Sequence, residues 1–169
     1  MPKVNLWVAV TVVAGVVAVG SIRAQTQEGT GSSVQALTGQ DYEQIEELYA
    51  RYNQGSDFRD AELFLSAFAE DAVMTRGGRV IAGMAALRAE RVERYAGETG
   101  DNGRRHHNAS SIITATASGA KARAYWMLFD VSIRPPTPVG SGYYDDTFTR
   151  TSQGWRIQTR TLTSDESAR

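Results

Sequence analysis

The amino-acid sequence predicts an α+β fold in which helices pack on one face of a curved sheet. Three observations carry this. Apolar residues fall at helical spacing in the first half of the chain after its N-terminal segment. The spacing switches to strand-like alternation from about residue 104, and turn signals separate the strand-like segments. Helices followed by a run of antiparallel strands is the order of an α+β chain.

The first helix is announced by Thr38, three residues before Asp41. At this capping-box spacing the hydroxyl and carboxylate can satisfy free amides at a helix start. Ile45, Leu48, Tyr49 and Tyr52 then follow at i, i+3, i+4 and i+7 and form one face, and the helix is expected to stop near Gly55. Asp60 precedes AELFLSAFA, where Leu63, Phe64, Ala67 and Phe68 have helical spacing and predict a second helix. An extended segment is expected from Val73 and Met74, a turn at Gly77-Gly78, and a short strand at Val80 and Ile81. Gly83 opens a third helix, MAALRAERVERYA, whose arginine-rich polar face reads as solvated. HHNASSIITATA and KARAYWMLFDVSI predict two strands joined by a turn at Ser118-Gly119. Pro135, Pro136 and Pro138 then force a loop. YYDDTFTRT and WRIQTRTLT form a last hairpin around Ser152, Gln153 and Gly154, with Tyr144, Asp146, Phe148 and Arg150 on one face.

The 169 residues suggest one domain, and 41% apolar with 22% charged residues is ordinary for a globular chain. The formal net charge of −1 and the absence of a basic stripe argue against nucleic acid as a partner. There is no cysteine, hence no disulfide, thiolate metal site or cysteine nucleophile. Lys3 followed by an uncharged, Val- and Ala-rich run from Val4 to Val19, with Ala24 before a polar segment, reads as a secretory signal peptide over residues 1–24. The competing reading is a retained anchor, for which the run is short. The expected location is secreted or periplasmic, with no membrane association after cleavage. Residues 25–37 read as a Gly/Ser-rich linker and 38–165 as the folded domain.

The segment LYARYNQGSDFRDAELFLSAFAEDAVM, with Tyr52, Asp57, Phe68, Glu70 and Asp71, resembles the opening of a SnoaL-like domain. RRHHNASSII resembles that family's strand beginning Arg-His. GYYDDTFTRTSQGWRI resembles its last hairpin, with Tyr144, Asp146, Phe148, Arg150, Gly154, Trp155 and Arg156 in place. The resemblance covers roughly residues 38–163. It implies the nuclear-transport-factor-2-like architecture: a cone-shaped α+β barrel with N-terminal helices on a strongly curved, mostly antiparallel sheet. Relatives of this fold include dehydratases, isomerases and polyketide cyclases as well as non-catalytic modules. The resemblance also implies a cavity for a small molecule, a homodimer, no cofactor, and a Tyr-Asp-His arrangement without metal. The matching positions are Tyr52, Asp57 and His106.

His106 and His107 are the only histidines, and neighbours on a strand point to opposite faces, so at most one enters a cavity. Register with the family's Arg-His strand selects His106 as a proton-transfer group. A surface pair beside Arg104 and Arg105 is the alternative. Adjacent strand histidines do not chelate one ion, and no metal is expected. Asp57 either caps the second helix or orients a histidine, and Asp60 is the better-placed cap. Tyr52 is either core or a donor to a substrate oxygen, with Tyr49 as its neighbouring alternative. Asp146 is either an acid/base group on a concave face or the structural partner of Arg150 or Arg156. His107, Asn108 and Tyr144 complete the candidate substrate-binding set, and Trp126 and Trp155 read as core anchors.

GGRVIAG lacks the Lys-Ser/Thr end of a phosphate loop, and no nucleophile-elbow pattern surrounds Ser110 or Ser111. Two readings remain. One is a cofactor-independent lyase or isomerase with dehydratase-like acid/base chemistry on a small apolar oxygenated substrate. The other is a non-catalytic secreted ligand-binding or association module of the same fold.

Overall fold

A computed structural model describes residues 34–165. The leader expected over residues 1–24 and most of the expected linker lie outside the described residues. Three helices, α1 (Gly39–Asp57), α2 (Ala61–Leu65) and α3 (Met84–Tyr95), accompany six strands: β1 (Phe68–Arg76), β2 (Arg79–Ala82), β3 (Arg104–Thr116), β4 (Gly119–Asp130), β5 (Thr137–Thr151) and β6 (Gly154–Ser164). The strands form one curved, unclosed sheet in the order β2-β1-β6-β5-β4-β3. All neighbours are antiparallel except β1 and β6, which run parallel. This is the α+β class expected. No helix among the described residues is long and apolar enough to cross a membrane.

Helix α1 starts where Thr38 predicts. The Asp41 amide donates to Thr38 Oγ1 at 3.3 Å, and the Thr38 amide donates to Asp41 Oδ2 at 2.8 Å. The same carboxylate reaches the last hairpin, where Oδ1 accepts from Trp155 Nε1 at 3.0 Å and Arg150 Nη2 at 2.5 Å. A single aspartate thus caps the helix and ties it to β5 and β6. Ile45, Leu48, Tyr49 and Tyr52 are buried on the face turned to the sheet.

The second helix is shorter than its apolar spacing predicts. It is capped by Asp60, whose Oδ1 accepts from the Leu63 amide at 2.9 Å, and it ends at Leu65. Ala67 and Phe68 leave the helical path because Ile157 on β6 donates to the Ala67 carbonyl at 2.8 Å, and β1 begins there rather than at Val73. A pairing partner ninety residues away wins over local periodicity. The close approach of α1 to α2 depends on Gly55, where a Cβ would fall 2.4 Å from the Phe64 amide nitrogen.

The arginine-rich face of α3, expected to be solvated, is so only in part: Arg88 and Arg94 are exposed. Glu90 and Arg91 are buried, at 4% and 1% exposure. Pro138 also lies within β5, opposite Phe129, so the proline loop is shorter than three prolines suggest. On the sheet, Ala120, Ala122, Ala124 and Trp126 turn inward from β4, while Lys121, Arg123, Tyr125 and Met127 turn out. The β3–β4 register shifts between Ala109 and Ile112, with Ser110 at φ 54°. Such a bulge bends a strand and increases its twist.

Candidate active site

The concave side of the sheet, α1, α3 and the β1–β2 turn enclose a cavity of about 840 Å³. That volume falls in the range of small-molecule sites. Tyr52 enters from α1, Trp126 and Leu128 from β4, Tyr144 from β5 and His106 from β3. Gly142 makes room for Trp126: a Cβ there would sit 2.9 Å from the indole and 2.0 Å from the Thr163 carbonyl oxygen. The indole Nε1 donates to that same carbonyl at 3.2 Å. Trp126, expected as a core anchor, is therefore also a cavity wall, whereas Trp155 is buried beside Asp41.

His106 and Asp57 form a pair. Asp57 Oδ1 lies 2.6 Å from His106 Nδ1, and Asp57 Oδ2 accepts from the His106 backbone amide at 2.9 Å. Asp57 is the last residue of α1 and is buried, and its own carbonyl accepts from the Asn102 amide at 2.9 Å just before β3. Because Asp60 takes the α2 cap, Asp57 is left for the histidine. Two backbone amides thus hold Asp57 against the start of β3, where its other carboxylate oxygen meets the imidazole. The second ring nitrogen, Nε2, carries no part of this contact.

The remaining candidates separate. Tyr52 and Tyr144 line the cavity with His106. His107 points to the opposite face, is exposed and packs edge-on against Phe129 at 5.2 Å, so it takes no part in the cavity. Asn108 shares the inner face with His106 but is occupied by Asn53 of α1. Tyr49 lies behind the cavity wall, buried and stacked on Tyr144 at 6.3 Å. Asp146 also lies behind it, and its partner is Arg160, not Arg150 or Arg156. Arg160 Nε and Nη2 donate to its two oxygens at 2.9 and 2.7 Å.

Sequence reasoning passed over Arg160. Its guanidinium sits 4.1 Å from the Tyr144 ring and 4.2 Å from the Tyr52 ring, fully buried. Burial works against its charge, but Asp146 outweighs burial and holds Arg160 above its ordinary pKa. Burial also drives the Tyr144 hydroxyl far above the usual phenol range, and that of Tyr49 likewise. Both therefore stay protonated, and neither finds a hydrogen-bond acceptor among the described residues. The ion pair thus packs against the rings of Tyr52 and Tyr144 from behind the cavity wall.

Two arginines of the α3 face expected to be solvated, Arg91 and Arg94, also line the cavity. Glu90 accepts from Arg91 Nε at 2.5 Å and from Arg94 Nε at 3.0 Å, and it also contacts Arg76 of β1. Arg91 lies over Phe64 at 4.1 Å. Burial alone would raise Glu90, but these three guanidiniums outweigh it and hold the carboxyl below its usual range. Among the described residues, no three His, Asp or Glu side chains converge as a metal site requires.

The SnoaL-like domain matches residues 38–161. No curated protein is significantly similar to the chain. Several solved structures share its fold. A Nostoc punctiforme protein of unknown function with a cystatin-like fold has a TM-score of 0.69 at 24% identity, covering 79% of this chain and 97% of that one. ActVI-ORFA from Streptomyces coelicolor has a TM-score of 0.62 at 21% identity over 74% of this chain and 98% of its own. A Catenulispora acidiphila protein in complex with S-DNPA has a TM-score of 0.64 at 21% identity, covering 75% and 95%. The match over most of the described residues, together with the helix-lined concave sheet, makes the chain a member of the SnoaL-like domain family.

Proposed function

We propose that the protein is a cofactor-independent lyase or isomerase that moves a proton on a small, largely apolar, oxygenated substrate. The observation that carries this reading is the Asp57–His106 pair in the cavity wall. With Asp57 accepting the Nδ1 proton, neutral His106 holds its free lone pair on Nε2. Nε2 then removes a proton from a carbon beside a substrate carbonyl. The electron pair moves onto the carbonyl oxygen, where the Tyr52 hydroxyl stabilises the developing charge. The proton returns from Nε2 either to a departing hydroxyl, which leaves as water, or to a second carbon. Asp57 balances the imidazolium formed between the two transfers.

The related structure in complex with S-DNPA supports a ligand-taking cavity. The leader-like N-terminus supports a secreted or periplasmic location. Exposed Ile112, Tyr125 and Met127 on the outer sheet face support pairing of two copies. The test is proton exchange and water loss in D2O, followed by proton NMR across a panel of small β-hydroxy carbonyl compounds. Turnover by the wild type that falls by at least about 10²-fold in His106→Ala and is strongly reduced in Tyr52→Phe is expected. Full activity in His106→Ala would overturn the assignment. Absence of turnover by the wild type across the panel would favour the binding-module reading.

A further inference from the structure

The cavity is lopsided in charge. Five arginines line it, at positions 59, 76, 91, 94 and 104, against one carboxylate, Glu98. Two of the five are matched one to one. Arg59 pairs with Glu98 at the rim, and Arg104 pairs with Asp130 at 3.2 Å. The other three, Arg76, Arg91 and Arg94, all converge on the single carboxylate of Glu90. The next acid along α3, Glu93, faces Arg79 at 3.6 Å and is exposed. Three guanidiniums around one carboxylate leave two positive charges uncompensated at the cavity wall.

Part of this surplus is held away from water, with Arg91 buried, Arg76 a quarter exposed and Arg94 half exposed. The Arg91 side chain is 2% exposed, and its Nη2 contacts Glu90 without hydrogen-bond geometry. Burial and the nearby Arg94 guanidinium both lower the pKa of Arg76. Like charges held together away from water are stabilised by an anion that enters among them. Apolar and aromatic side chains, Trp126, Leu128, Leu162 and Tyr95 among them, share the lining with hydroxyl and amide groups such as Thr75, Asn102 and Thr161. Arg76 comes from β1, next to one edge strand, whereas His106 comes from β3 at the other edge. The arginine cluster and the His106–Asp57 pair therefore approach the cavity from opposite ends of the sheet.

We propose that the substrate is an organic carboxylate, its apolar or aromatic body against Trp126 and Leu128 and its carboxylate bound by Arg76, Arg91 and Arg94. The inference rests on the reading of this cavity as the active site and adds to it the substrate's charge and orientation. An acid anchored at the arginines presents its far end to His106. The cluster holds the substrate without taking part in proton transfer.

The experiment compares 2-naphthoate with methyl 2-naphthoate by isothermal titration calorimetry. The acid and ester share the aromatic body and differ in charge. The wild type should bind the acid more tightly by about tenfold or more, the range of one charged hydrogen bond. Arg94→Gln and Arg76→Gln should each erase most of that preference and leave the ester unaffected. Arg94 is half exposed, so its replacement leaves the buried Arg91–Glu90 contact in place. Equal affinity for acid and ester, a preference for the ester, or no binding of 2-naphthoate overturns the proposal. Binding of the acid that depends on Arg76 and Arg94, in a protein without turnover, would retain the carboxylate site and remove the catalytic reading.

Discussion

Asp57 commits both carboxylate oxygens to His106, one to the ring and one to the backbone amide. A side chain that only capped a helix would use one oxygen on a helix amide, and Asp60 does that for α2. Two contacts to one residue hold His106 against the end of α1.

Replacing His106 with Ala should lower kcat by about 10²–10⁴, the usual contribution of a positioned acid/base group. Asp57→Asn should also lower kcat, because an amide nitrogen facing Nδ1 favours the other tautomer. Circular dichroism would establish that both variants keep the fold, and the comparison is made on kcat at saturating substrate.

Glu90→Gln should destabilise the protein by about 3–5 kcal/mol, since it leaves buried Arg91 without its counter-charge. Urea denaturation measures this as a lower midpoint with an unchanged slope. A loss below about 0.5 kcal/mol would be that of an ordinary surface substitution and would place the pair in solvent.

Asp41 links stability to pH. Hydrogen bonds from Trp155 and Thr38 hold its carboxyl well below the usual carboxylate range, and Arg150 adds to this. A depressed folded pKa means that the contribution is complete above the unfolded value of about 4 and is lost as pH falls below it. Melting temperatures between pH 6 and pH 2 should therefore fall more steeply for the wild type than for Asp41→Asn on the acid limb. Parallel curves would contradict the assigned role.

Gly142→Ala should cost about 1–3 kcal/mol by overpacking. Its Cβ would meet the Thr163 carbonyl and the Trp126 indole, neither of which can yield without moving β6 or the cavity wall. The displacement should also change the tryptophan fluorescence, which reports the wall directly.

The sequence made α1 legible through Thr38 and Asp41, and the two hairpins through their turn residues, because each signal is local. What it concealed is non-local. Ala67 and Phe68 keep helical spacing, yet β6 draws them into the sheet. The Asp146–Arg160 pair depends on a one-residue register shift between Thr147 and Phe148. Thr147 pairs with Thr159 and Phe148 with Ile157, which leaves Gln158 as the extra residue. An unbroken ladder would set Thr159 opposite Asp146. Arg91 reads as a solvated position until Glu90 and Phe64 are seen to receive it. Tyr52, Asp57 and His106 were legible through the family resemblance. The arginine wall was not, because its members come from β1 and α3 and meet only in the folded chain.

Asp57, by accepting the Nδ1 proton, would leave Nε2 of His106 free for proton transfer. Long-range ¹⁵N–¹H NMR of the two histidine rings, at a pH where both are neutral, tests it most directly. His106 is expected as the Nδ1–H tautomer with an unprotonated Nε2 and exposed His107 as an average of the two tautomers, with Asp57→Asn removing the difference. An Nε2–H tautomer at His106, or ring signals that ignore the Asp57 substitution, would contradict it.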